Sequence, residues 1–178
     1  MRIHRLAFVL APTAALAGAV AIGSAAAPGD AGRAAAAKKI TASGVGAVKI
    51  GKTHRQLRER GLVGKIRRGC ELGGPTTRSA KLLAPLKGQV NYTLKKPRKV
   101  TDITITGGAR ARGVGIGAKI PAIRKAFPKA KVNHSTDDTF LLTLVQVPKK
   151  GGGRIVFAVS TETKRTRFIG VPFVGFCE

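Results

Sequence analysis

Three groups of residues in this chain have types and spacings that invite chemistry. Gly46, Gly51, Lys52 and Thr53 match Gly-x4-Gly-Lys-Thr, the pattern whose backbone amides wrap phosphates while the lysine and threonine serve phosphate and magnesium. The surroundings deny that reading. Ile40-Thr-Ala-Ser-Gly44 is not the hydrophobic strand such a loop must follow, and Val48-Lys-Ile50 alternates as a strand itself. No hydrophobic run ending in aspartate supplies a second magnesium ligand, and the remaining chain is too short for a doubly wound sheet. His134 with Asp137 and Asp138 could be drawn as a metal site, yet no further His or Cys stands at ligand spacing. Ser135 lacks a Gly-x-Ser-x-Gly elbow, and the eight acidic residues are too scattered to form a carboxylate pair. The reading is therefore no enzyme, no catalytic residue, no metal and no cofactor.

Cys70 and Cys177 form the third group. A thiol nucleophile served by His54 or His134 has no support from spacing. In an oxidising compartment an even pair reads as one disulfide, tying the end of the chain to its first half.

The compartment comes from the N-terminus. Met1 to Arg5 carries two arginines, Leu6 to Ala27 carries no charge, and the stretch ends in Gly-Ser-Ala-Ala-Ala. This is the three-part pattern of a secretory signal peptide over residues 1–27, cut after Ala25 or Ala26. An uncleaved membrane anchor is the alternative, and the only membrane contact expected. Residues 28–43 read as a disordered tether, having little apolar periodicity. Residues 44–178 form one folded domain.

Within that domain a pattern recurs at an offset of 66 residues. Val48-Lys-Ile50-Gly51 lies over Val114-Gly-Ile116-Gly117, and Leu57-Arg58 over Ile123-Arg124. Thr53 and Gln56 predict a capping box at the start of the first helix. In the second copy Pro121 suits the first helical turn, and Ile120, Ile123 and Phe127 share a helix face. Strands are predicted at Gly88–Leu94, Val100–Thr106, Lys131–Asn133, Phe140–Val147, Arg154–Ser160 and Arg167–Phe176. The expected fold is α+β: two tandem helix-plus-antiparallel-strand repeats, at about 44–106 and 107–178, with helices on one face of a sheet.

The residues Val48-x-Ile50-Gly51-x-Thr53, Gly69-Cys70 and Gly113-Val-Gly-Ile-Gly117, with a second helix ending at Phe127-Pro128, carry a resemblance over residues 45–128. The chain resembles a group of small secreted actinobacterial proteins similar in layout to the β-lactamase inhibitor protein and the BamE-type lipoprotein. Lys52 stands where those units have Met, Ala118-Lys119 stands for Met-Thr, and the lipoprotein's acylated Cys is absent. The resemblance implies a non-catalytic, protein-binding habit.

Charge points to a second kind of partner. Lys and Arg number 33 against 8 Asp and Glu, a formal net charge of +25. Such a field attracts any polyanion. Arg55, Arg58, Arg67 and Arg68 around the first helix, and Lys95, Lys96, Arg98 and Lys99 in a turn, are the candidate polyanion-binding residues. With one Tyr and no Trp to stack bases, sequence-specific nucleic-acid binding is not expected. The functional expectation is an exported, secreted or envelope-associated interaction module for an unknown protein, of inhibitor type. The alternative is an envelope-associated structural protein that holds anionic cell-envelope polymers non-specifically through its basic surface.

Overall fold

The computed structural model describes residues 37–69, 78–149 and 151–176. Eight strands form one antiparallel sheet: β4 (Arg67–Arg68), β5 (Arg78–Lys81), β6 (Lys87–Tyr92), β7 (Val100–Gly107), β9 (Lys131–Asn133), β10 (Leu142–Pro148), β11 (Arg154–Ser160) and β12 (Thr166–Val171). Their order is β4-β5-β6-β7-β12-β11-β10-β9. Each group of four thus runs inward from its own edge, and β7 meets β12 at the centre with Ile105 opposite Ile169. A smaller sheet, in the order β3-β2-β1-β8, joins β1 (Lys38–Thr41), β2 (Gly44–Val45), β3 (Val48–Lys49) and β8 (Ala109–Arg110). Its β1–β8 contact is parallel and its other pairings are antiparallel.

Alternation along the strands assigns the faces. Val90, Ile103, Ile105, Val145, Phe157, Val159 and Ile169 point into the main core and are at most 1% exposed. The small sheet adds Ile40, Val45, Val48 and Ala109 to the same core. Burying a Phe157-sized side chain is worth about 1.5–3 kcal/mol, so these inward rows supply much of the fold's driving force.

The helices are short: α1 (His54–Glu59), α2 (Ile120–Ala126) and α3 (Asp137–Phe140). Thr53 and Gln56 form the capping box, with Gln56 N–H donating to Thr53 Oγ1 at 3.3 Å and Thr53 N–H to Gln56 Oε1 at 3.1 Å. Gly61, at φ 64°, turns the chain away after α1, and Pro128 stops continuation beyond α2. Each of α1 and α2 buries one side chain, Leu57 and Ile123, and α3 buries none. This corrects the α+β expectation. The described residues are mostly sheet, and two sheets share the core where a helical layer was expected. In the small sheet, β1, β2 and β8 have two to four residues and leave too little alternation for the sequence to display them.

β1 also lies within the stretch read as tether, because Ile40 and Ala42 are buried against the core. β12 ends at Val171, and residues 172–176 turn back instead of continuing the strand.

The backbone repeats several arrangements at positions 66 residues apart. Gly51 N–H donates to Val100 O and Gly117 N–H to Thr166 O, both at 2.9 Å. Val100 N–H donates to Lys52 O and Thr166 N–H to Ala118 O, again both at 2.9 Å. Gly46 and Arg112 both adopt left-handed backbone, at φ 51° and 47°.

Candidate binding surfaces

The side of the large sheet turned away from the core divides into two kinds of surface. On β9–β12, Leu142, Leu144, Val156 and Ala158 form an apolar cluster with Phe140, Phe168, Val174 and Phe176. The segment after β12 lies back over it. A Cβ at Gly170 would fall 2.2 Å from Phe173 O, so only glycine admits this crossing. Phe176 stacks on Phe140 with centroids 4.1 Å apart. We refer to residues 172–176 as the strap.

On β4–β7 the same side presents Ser79, Lys81, Gln89, Asn91, Asp102, Thr104 and Thr106 by alternation. Asp102 is only 3% exposed and accepts from Asn91 Nδ2 at 2.7 Å and Thr101 Oγ1 at 3.0 Å. Burial pushes its carboxyl above the ordinary aspartate range, and those two hydrogen bonds pull it partly back. Gly175 of the strap lies over this pair, its Cβ position 3.8 Å from Asn91 Nδ2.

Between the two surfaces opens a groove of about 630 Å3. Phe140, Leu142, Phe168 and Phe176 form its apolar side, and Gln89, Thr104 and Thr106 its polar side. Arg67, Lys81, Lys87 and Arg167 stand around it, and no carboxylate lines it among the described residues. Thr104 Oγ1 is buried there without a hydrogen-bond partner. The phenylalanines do not all serve the main core. Phe127 and Phe157 are core, but Phe140, Phe168 and Phe176 belong to this opposite face. The alternation Phe168-Ile169 across two faces is the signal that could have found them.

The candidate polyanion residues are partly gathered by the fold. Arg55 and Arg58 lie on α1, whose start is joined to the β6–β7 turn. His54 N–H donates to Arg98 O at 2.9 Å, and Thr53 bridges Lys99. One end of the molecule therefore brings α1 together with the turn carrying Lys95, Lys96, Arg98 and Lys99. Arg55 spends part of its charge on Glu59, at 3.6 Å. Arg67 and Arg68 lie instead on the edge strand β4, and Arg67 faces the groove.

The remaining suggestive residues have structural occupations. His54 Nε2 meets Gly64 O at 3.0 Å, and its ring stands edge-on to Tyr92. Tyr92 is buried, which pushes its hydroxyl up to about 12. The backbone amides of Gly51 and Lys52 are engaged by Val100 O and Lys49 O, leaving no phosphate cradle there. His134 Nδ1 lies 2.8 Å from Asp137 Oδ2, and this contact lowers the Asp137 carboxyl below its ordinary range. Among the described residues no three His, Cys, Asp or Glu gather as metal ligands. Cys70 and Cys177 lie outside the described residues.

No family model, curated protein or solved structure matches this chain. The case for function rests on the surfaces themselves.

Proposed function

We propose that this chain is an exported, non-catalytic interaction module that binds a protein partner in the groove on the outer side of its large sheet. The observation carrying the proposal is the composition of that groove: phenylalanines and Leu142 on one side, free polar groups on the other, and a rim of arginine and lysine. Stable interfaces combine an aromatic and apolar centre with a polar rim in this way. We further propose that the two four-strand halves arose as a duplicated unit, which the 66-residue correspondence of hydrogen bonds supports.

A test is capture of secreted and envelope proteins on the folded domain at about 0.5 M salt, where surface charge is screened within about 4–5 Å. Thr106 is exposed on the polar side of the groove, so Thr106→Trp should fill it without disturbing the core. A partner held by wild type at high salt and lost with Thr106→Trp supports the proposal. A partner indifferent to Thr106→Trp rejects the groove.

The junction of α1 with the β6–β7 turn favours a second reading, adhesion to anionic envelope polymers. Here replacing Lys95, Lys96, Arg98 and Lys99 by Ala should flatten the dependence of binding on salt. Unchanged salt dependence in that variant would reject this surface.

A further inference from the structure

A second concavity, away from the groove, carries an inference of its own. It is a cleft of about 600 Å3 between β1, the end of α2 and the β10–β11 hairpin. Pro128, Val147 and Pro148 form its partly exposed apolar walls, over buried Ile40, Phe127 and Ile155. Lys39, Arg112, Lys129 and Lys149 stand around it, and no carboxylate lines it among the described residues. These four cations come from four separate chain segments, so the fold gathers charge that the sequence does not cluster.

Arg112 is the unusual member. It occupies the left-handed backbone region at φ 47°, where the matching position 66 residues earlier is Gly46 at φ 51°. An L side chain there costs roughly 1–2 kcal/mol relative to ordinary backbone. Its guanidinium lies 5.3 Å from the Phe127 ring centroid and donates from Nη1 to Ala126 O at 3.2 Å. The side chain is thus held at the cleft with its conformation already set, as a recognition arginine must be. Arg112 stands in the two-residue turn whose ends, Ala111 and Val114, exchange both backbone hydrogen bonds, and that turn fixes its left-handed backbone beside the cleft and among the other cations.

We infer that this cleft binds a soluble, single-chain anionic amphiphile, with a carboxylate or phosphate head among Arg112, Lys39, Lys129 and Lys149 and an apolar body along Pro128, Val147 and Pro148. Charge complementarity selects the head, since four like charges without a counter-charge favour an anion. The apolar walls select a body that a bare inorganic anion lacks. Phe127 is buried and covered by Arg112, so the cleft offers no open ring for base stacking.

The experiment is calorimetric titration of the folded domain with decyl phosphate below its micelle concentration, alongside inorganic phosphate and the uncharged decyl glucoside. Decyl phosphate is expected to bind at least tenfold more tightly than either control. Arg112→Gly relieves the backbone strain, so its melting temperature should stay within a few degrees of wild type while binding weakens at least tenfold. Lys129→Gln with Lys149→Gln, both exposed, should weaken binding by a similar factor. Equal binding of inorganic phosphate or of decyl glucoside overturns the inference, and so does undiminished binding by both variants. Binding to phosphatidylglycerol vesicles without binding of decyl phosphate also overturns it.

Discussion

Strands β4–β7 and strands β9–β12 share a backbone plan and differ in what they do with the side of the sheet turned from the core. On the inner side the two sets are nearly interchangeable: Val90, Ile103 and Ile105 from one, Val145, Phe157 and Ile169 from the other, all packed in one cluster. On the outer side β9–β12 carry leucine, valine and phenylalanine under the strap, while β4–β7 carry glutamine, threonine and a buried carboxylate. The core dictates one face of both sets, because each inward side chain must fill a defined volume. The outer face meets a different cover on each side, the strap's phenylalanine and valine over β9–β12, so there the two halves differ. The groove opens along the line where the two chemistries meet.

The most severe way to break this division is to release the strap from the far half. Arg67 and Phe176 line one groove, and they lie three residues and one residue from Cys70 and Cys177. A Cys70–Cys177 bridge would close a loop of about 108 residues, stabilising by about 4–5 kcal/mol in the chain-entropy model. Cys70→Ser is expected to lower the melting temperature by more than 10 °C in a domain of this size. Reduction of wild type should reproduce that shift. A melting temperature unmoved by reduction would show that the two halves are not tied in this way.

Gly170→Ala tests the strap itself. The added methyl would lie 2.2 Å from Phe173 O and 2.7 Å from Phe173 C, both backbone atoms that cannot swing aside. A loss of about 1–3 kcal/mol is expected, with faster hydrogen exchange confined to residues 172–176 and the apolar cluster beneath. If exchange instead rises equally in β4–β7, the two outer surfaces are one cooperative unit.

How much of this contrast can be read from the chain depends on the length of each signal. The hairpin predicted at Phe140–Val147 and Arg154–Ser160 is found as β10 and β11, with β10 starting two residues later because Phe140 closes α3, and Thr53 with Gln56 announces its cap. Lys38–Thr41, Gly44–Val45 and Ala109–Arg110 do not show themselves, because strands this short owe their existence to partners distant in sequence. The helical signal around Leu57 and Ile123 is real but covers one turn or two, and its weight is overestimated when neighbours are unknown. The cations near Lys95 are visible as a run, whereas Lys39, Arg112, Lys129 and Lys149 converge only in three dimensions. Arg112 is the least legible of all, since only its matching glycine reveals that its backbone is strained.

The mildest test lies in the polar half and works by sign. Asp102 is a buried carboxylate with hydrogen bonds from Asn91 and Thr101 and, among the described residues, no cation paired with it. Burial raises its proton affinity in the folded state above that of the unfolded chain, so the folded protein binds the proton more readily. Its ionisation therefore costs nothing below the unfolded value near 3.8. The cost grows as pH rises through the elevated folded range and is constant above it. Asp102→Asn removes the charge. Its amide oxygen can still accept from Asn91, and its NH2 group can donate to Thr101 if that hydroxyl turns to accept. The variant is expected to match wild type at pH 3.5 and to exceed it by about 1 kcal/mol at pH 7, the scale of a modest buried-charge penalty, with the difference opening above pH 4. Denaturant titrations at a series of pH values read this directly. A variant less stable than wild type at pH 7 would mean that the ionised carboxylate holds β6 to β7 more firmly than its burial opposes it. The polar half would then be a structural network instead of a surface left open for a partner.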